Sequence, residues 1–430
     1  MKGGRRLENQ LQLYFNQVKE QFGLSRYRLE RYWFDRKINI FQDTEYTLIM
    51  EWFPKHLKSR RDFDLNPAGT AVIEIGIHDW KIKSVIFVRG KTFAEGGVIF
   101  PDTGEEAIIR WIEQETGFTY GKHFQLKKMK GGSYQFYECV DGIPTYPGGE
   151  IEIEVDRTGK LTYFTVSGQF PDGSRVKKEP FRLSLDLLRE HLQDQIKTVP
   201  IPSLEKKQWH LIYGIEEIFI TNDQQKIIPL SHYNVGKPVA KIDQIMEWEV
   251  PLEGGRLERR EIFSQKEITA EQAFSGEPSP DVAPITPEEQ EACKTAVLEF
   301  LRREYPSDRG RWILHHLYRE SGHILAELKT KAESPGSFSR KLVIFIQPGT
   351  FQVLNYFDNR PLLEMYRPLR PPGPILVSRK EAYQKLLNEI QLHPFYVYAF
   401  ESGQYVLCGK LDCRYGVDAT TGEVIDPDAL

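Results

Sequence analysis

Ser378-Arg379-Lys380-Glu381-Ala382-Tyr383-Gln384-Lys385-Leu386-Leu387, followed by Phe395-Tyr396-Val397-Tyr398-Ala399-Phe400 and Gln404-Tyr405-Val406-Leu407, is the stretch on which the fold turns. Ser378 is placed to accept from first-turn amides, and Glu381, three residues on, reaches back to the Ser378 amide. Ala382, Tyr383, Leu386, Leu387 and Ile390 then recur at helical spacing with one apolar face. The two aromatic runs after them read as strands joined by the turn Glu401-Ser402-Gly403, and Arg414 to Asp418 leads through Thr420-Thr421-Gly422 into Val424-Ile425-Asp426. The pattern predicts a short capped helix followed by a small antiparallel sheet.

The same order recurs upstream. A first unit, 1–101, opens on an amphipathic helix carrying Leu7, Leu11, Tyr14, Phe15, Val18 and Phe22, then runs through strands at Tyr46–Trp52, Ala71–Ile77 and Ile82–Val88. Alternation places Ile73, Ile75 and Ile77 on the core face, and His56 to Asp64 reads as a solvated loop. A second unit, 102–181, has a helix predicted to start on a Thr103/Glu106 capping box and to stop at Gly117, then strands at Tyr134–Val140, Glu150–Val155 and Leu161–Val166. A third, 182–276, is predicted to hold a helix over Leu183–Ile196 and strands at Trp209–Tyr213, Glu217–Thr221 and Met246–Val250. Gly276 to Pro287, rich in proline, reads as a loosely packed linker. A fourth unit, 286–375, starts on Thr286, Pro287 and Glu289 as N-cap, first-turn proline and capping partner, and the fifth, 376–430, contains the opening stretch.

Two of these units carry a further likeness. Asp141-Gly142-Ile143-Pro144-Thr145-Tyr146, then Glu150-Ile151-Glu152-Ile153-Glu154-Val155-Asp156-Arg157-Thr158-Gly159-Lys160-Leu161, resembles the pattern of the YcdB/YcdC repeat family and of thermolysin-type propeptides. Tyr415-Gly416-Val417-Asp418-Ala419-Thr420-Thr421-Gly422-Glu423-Val424 resembles the end of a PepSY-type repeat. The resemblance implies an α+β fold of tandem cystatin-like units, each a helix laid across a curved antiparallel sheet, in a bacterial protein often of the cell envelope. It also implies kinship with protease propeptides and inhibitors.

Composition bounds the function. With 430 residues the chain exceeds one ordinary core. Its 57 basic and 61 acidic residues give a net charge of −4, with no bias toward a polyanion, so nucleic acid is disfavoured. No run approaches the roughly 20 apolar residues that cross a bilayer, and the N-terminus through Arg6 lacks the apolar core of a signal peptide. The expected location is therefore cytoplasmic, with the cell envelope as the alternative implied by the resemblance. Cys139 and Cys293 read as small core residues. Cys408 and Cys413 sit close enough to face across a hairpin, but spacing alone does not supply disulfide geometry.

The candidate chemistry is sparse. Glu150, Glu152, Glu154 and Asp156 share one face of a strand, where a calcium site weighs against the wet face of an amphipathic strand, and the reading favours the latter. His315, His316 and His323 form the one histidine cluster. A hairpin turn at Ser321-Gly322 would set Glu320 opposite His323 and His316 opposite Glu327, which makes cross-strand charge pairs rather than a metal site. Asp141-Gly142-Ile143-Pro144 reads as a tight strand connection. Motifs for a P-loop, a nucleophile elbow or a zinc protease are missing. No residue is assigned as catalytic, cofactor-binding or metal-binding, and no cofactor is expected. The function expected is binding or inhibition of a protein or peptide, such as a protease, with a small-ligand protein or an enzyme using a site between the two halves as the alternative.

Overall fold

Period-two alternation of apolar residues builds most of this molecule, which is mixed α+β with sheet predominating. The computed structural model describes residues 2–57, 66–101, 104–230, 238–262, 267–330 and 339–430. The chain forms two units, one from 1–179, 267–279 and 395–407, the other from 180–266, 280–394 and 408–430.

In the first unit, helix α1 (Lys2–Gln21) precedes strands β1 (Tyr27–Ile38), β2 (Thr44–Pro54), β3 (Ala71–Gly76) and β4 (Ile82–Phe87). Helix α2 (Glu105–Thr116) then precedes β5 (Phe124–Lys130), β6 (Ser133–Val140), β7 (Ile143–Tyr146), β8 (Glu150–Val155) and β9 (Leu161–Ser167). The two sets share one sheet in the order β1-β2-β3-β4-β9-β8-β6, with β5 and β7 also paired to β6. Helix α1 buries Leu11, Tyr14 and Val18 as its spacing predicts, and the Tyr14 hydroxyl donates to Ile77 O at 2.5 Å. Ile108 and Ile112 of α2 are buried, and Trp111 meets Phe164 edge-on. Gly117 ends α2 in the left-handed region at φ 73°. Thr103, the predicted cap, lies outside the described residues, as do 58–64 of the predicted basic loop. The N-cap position of α2 falls on Gly104, with no side-chain cap.

Strand β8 shows how alternation sets sidedness. Ile151, Ile153 and Val155 are buried, whereas Glu150 and Glu152 are half-buried and Glu154 is exposed, as the sequence predicts. Ile153→Ala is expected to destabilise by about 2–5 kcal/mol through lost burial and a cavity. Glu152→Ala is expected to lose less than about 0.5 kcal/mol, and urea unfolding of the two variants measures the contrast.

In the second unit, five antiparallel strands run in the order Val239–Ile245, Trp312–Glu320, His323–Thr330, Lys341–Ile346 and Val353–Asp358. The helix Pro287–Glu304 brings Cys293, Val297, Phe300 and Leu301 into the core with Trp312, Leu314 and Ile344. Its start is the predicted capping box of Thr286 and Glu289 with Pro287 inside. Glu289 also takes both bonds of the Arg319 guanidinium fork, at 2.7 and 2.6 Å. A second core joins Leu188, Leu192, Ile196, Ile218 and Ile220 to Ala382, Leu386, Leu411 and Val417. It includes the helix Arg379–Leu386, whose Ser378–Glu381 capping box is present.

Three expectations change. The predicted helix over Leu183–Ile196 shrinks to Arg189–Asp194, because Ile196 opens a strand, Ile196–Ser203. The predicted strand Met246–Val250 lies outside the ladder. Met246 and Trp248 are buried as plugs, and the strand formed there is Val239–Ile245. The stretch from Gly276 to Pro287 is fastened rather than loose. Glu277 O accepts from the Tyr46 hydroxyl and Ser279 N donates to Thr44 Oγ1 in the first unit, while Asp281 is buried in the second and accepts from Gly322 N. Polar side chains on strand ends hold a backbone that its own prolines cannot pair.

Candidate functional site

Cross-strand partners in an antiparallel sheet point to the same face, so the registers of the first unit define its outer surface. One row runs Arg31, Glu51, Val72, Ile86, Tyr163, Glu154 and Ser133 across β1, β2, β3, β4, β9, β8 and β6. The adjacent row runs Trp33, Ile49, Glu74, Ser84, Thr165, Glu152 and Gln135. Both rows lie opposite the face that carries Met50, Ile73, Val85, Phe164 and Ile153 into the core. Val72, Ile86 and Tyr163 are half-buried neighbours on three successive strands. They make an apolar strip with Glu154 at one end and Glu74 and Glu152 alongside. Toward β1, Glu51 is buried and held by Arg31 Nε at 2.5 Å and Asn66 Nδ2 at 2.9 Å.

The predicted acidic row is thus part of this face. Glu150 is paired with Lys127 at 2.6 Å and Glu152 accepts from Gln135 at 3.0 Å. Asp156 belongs instead to a turn, where its Oδ1 accepts from Thr158 N, Thr158 Oγ1 and Lys160 N. Asp418 builds the same turn, its Oδ1 accepting from Thr420 N at 2.7 Å and Thr420 Oγ1 at 2.6 Å. No group of three or more potential metal-ligating side chains occurs among the described residues.

The histidine hairpin has the predicted register, with His316 opposite Glu327 and Glu320 opposite His323. Ser321 and Gly322 both have positive φ, as a two-residue turn of this kind requires. His315 lies apart from that pairing, with Nδ1 2.7 Å from Asp243 Oδ1, and burial pushes the His316 imidazole below its ordinary value. Asp141 and Gly142 form the positive-φ connection into β7, and Asp141 pairs with Lys178 at 2.5 Å. All four cysteines are free, and Cys413 Sγ donates to Tyr415 O.

Three polar clusters were not foreseen. Glu138 is buried at the end of β6, accepting from Thr145 Oγ1 at 2.7 Å and from Gln169 N at 2.9 Å. Burial raises its carboxyl above the ordinary value, outweighing these bonds and those from the Phe170 and Gly149 amides. Its position was readable, since it continues the core-facing series Tyr134, Phe136. In the second unit Arg340 grips Asp358 through Nη2 at 2.5 Å and Nε at 3.1 Å, and the Tyr305 hydroxyl adds a bond at 2.9 Å. Burial pushes the Asp358 carboxyl up, but the bonds from Arg340, the Arg360 amide and Tyr305 together hold it below its ordinary value. Asp418 Oδ2 lies 3.5 Å from His210 Nδ1, while His210 Nε2 is buried with no partner among the described residues.

In each cluster the named hydrogen-bond partners are protein groups. Such hydrogen-bonded clusters position backbone and strands. A shallow depression of about 630 Å³ lies along α1, lined by Leu13, Asn16, Gln17, Glu20, Gln21 and Trp80. No helix among the described residues is long and apolar enough to cross a membrane.

No protein-family model matches the chain, and no curated protein matches it. Among solved structures, the Bacillus megaterium YpeB C-terminal domain is similar at 12% identity and a TM-score of 0.24, over 51% of this chain and 96% of that one.

Proposed function

We propose that this chain is a non-enzymatic binding protein, built of PepSY-like, cystatin-like helix-on-sheet repeats, that holds a protein or peptide partner against the outer face of its first unit. The observation that carries the reading is the strip Val72, Ile86, Tyr163. Three half-buried apolar side chains lie side by side across strands about 4.8 Å apart. Carboxylates at Glu74, Glu152 and Glu154 border the strip, so an extended segment bearing apolar residues and lysine or arginine complements it. The repeat reading is supported by helix-then-antiparallel-strands at α1, at α2 and at Pro287, and by the matching aspartate–threonine turns at Asp156 and Asp418.

Panning a random peptide display library against the full chain tests this. The expected selection is peptides combining apolar residues with lysine or arginine, whose affinity falls about tenfold or more in Ile86→Asp and Tyr163→Ala. Peptides that bind these variants as tightly as the parent would overturn the proposal.

A further inference from the structure

Trp80 is 37% exposed and has φ 57°, in the left-handed region where a bulky side chain is an outlier. The turn 76–81 holds it there. Gly76 N donates to Lys81 O at 2.9 Å, Trp80 N to Gly76 O at 3.1 Å and Lys81 N to Asp79 Oδ1 at 3.1 Å. The Tyr14 hydroxyl ties that turn to α1 through Ile77 O. One face of the indole lies flat on the Tyr14 ring, with centroids 3.7 Å apart and planes 8° from parallel. Its exposure therefore falls on the opposite face and the ring edges, and the ring lines the depression along α1. Beside it, Leu13, Gln17, Glu20 and Gln21 recur at three- and four-residue steps, which places them along one side of the helix. Gln21 Nε2 donates to Glu115 Oε2 at 2.8 Å, which leaves the Gln21 carbonyl oxygen to accept. Asn16 Oδ1 accepts from Gln12 Nε2 at 3.1 Å, which leaves the Asn16 amide hydrogens to donate. Among the described residues, Gln17 makes no side-chain hydrogen bond and Glu20 no ion pair.

We infer that this depression is a carbohydrate-binding site, which takes a neutral β-linked sugar of the gluco configuration with its ring flat on Trp80. In such a sugar the ring substituents are equatorial, so each ring face presents only C–H groups, whose partial positive charge suits the negative face of an indole. Its hydroxyls lie around the rim, and each both donates and accepts. The amides of Asn16, Gln17 and Gln21 offer both kinds of partner at the edge of the aromatic surface. Glu20 accepts from a hydroxyl but repels a carboxylate, so acidic sugars are disfavoured. The shallow form of the site leaves both ends of the sugar outside it, as a unit within a longer oligosaccharide requires. Leu11 and Tyr14 share the core with Ile73 and Val85, so α1 covers the core side of the sheet and this site is separate from the strip at Val72, Ile86 and Tyr163. The turn supplies preorganisation: the indole is fixed by Tyr14 and by its own backbone bonds before any sugar arrives.

Calorimetric titration of the full chain with cellotetraose and with chitotetraose tests this. Saturable binding of either, with a dissociation constant of about 1 mM or tighter, is expected. Trp80→Asn, whose side chain tolerates the left-handed backbone, is expected to weaken it about tenfold or more. Trp80→Phe keeps an aromatic face on the same backbone and is expected to retain most of the affinity. Because Trp80→Asn also uncovers Tyr14, Gln17→Leu serves as the second variant. It changes an exposed helix position, so its melting curve should match the parent's while the affinity falls about threefold or more. Tetragalacturonate and tetramethylammonium, an acidic sugar and a cation that would also favour an indole beside a carboxylate, are expected to bind more weakly than the neutral sugars. No binding of either neutral oligosaccharide would overturn the inference. So would affinity unchanged in both Trp80→Asn and Gln17→Leu, or tighter binding of either charged probe.

Discussion

Arg340→Ala is expected to cost about 3–5 kcal/mol of stability, because it leaves the Asp358 carboxylate buried without its cation. Asp358 and Arg340 are 12% and 18% exposed at the side chain, so water replaces little of the lost fork. The guanidinium also lies 4.9 Å from the Tyr305 ring and 5.2 Å from that of Trp312, contacts that vanish with it. Arg340→Lys keeps the charge but loses the two-bond geometry, so a smaller loss of about 1–2 kcal/mol is expected. The pair also imposes a pH dependence. Since the folded Asp358 carboxyl titrates below its value in the unfolded chain, its contribution is fully present above the unfolded value, about 3.9, and is lost as pH falls through the folded one. Urea titrations of the parent and Asp358→Asn across the acid range measure this: the parent's advantage should shrink as pH drops. A constant difference would show that the carboxylate is not the source.

These clusters also mark where sequence reasoning reached and where it stopped. Alternation was enough for β3, β8 and the histidine hairpin, because each has one apolar and one polar face and a turn whose residues declare it. It failed for β1, where Arg28, Glu30, Arg31, Asp35, Arg36 and Lys37 interrupt the apolar positions. That strand is held by β2 on one side, and its charges are answered within the chain, Arg31 by the buried Glu51, Arg28 by Glu30 and Lys37 by Asp35. It failed also for Ile196–Ser203, where Pro200 and Pro202 argue against a ladder. Among the described residues that strand pairs with Gln208–Ile215 alone, and on an edge a missing amide need not break the sheet. The acidic face of β8 was legible, but its apolar neighbours Ile86 and Tyr163 come from other strands. Their adjacency depends on registers that no single segment specifies. Arg340 and Asp358 likewise sit at the ends of paired strands, and nothing in either local sequence announces the other.

Glu138→Ala is expected to cost about 3–5 kcal/mol, for a different reason from Arg340. Among the described residues no cation is paired with Glu138; its carboxylate accepts hydrogen bonds. Its carboxylate receives the Thr145 hydroxyl from β7 and the Gln169 amide from the segment after β9, tying both to the end of β6. Gly149 and Gly168 approach it so closely that a Cβ on either would clash with its Oε2. Glu138→Gln fills the space but turns an amide NH2 toward donors, and a loss of about 1–3 kcal/mol is expected. Its proton linkage has the opposite sign to that of Asp358. A carboxyl raised by folding stabilises fully below its unfolded value, about 4.3, and that contribution is lost as pH rises through the raised folded value. Acidification therefore removes the Asp358 contribution while relieving the cost of the Glu138 charge. Because the two residues belong to different units, the opposition is separable. Hydrogen exchange followed against pH should show protection around β6 and Gln169 holding or rising toward acid while protection around Lys341–Ile346 falls. If both regions lose protection together, Glu138 is ionised throughout the range and its burial is compensated more completely than desolvation allows.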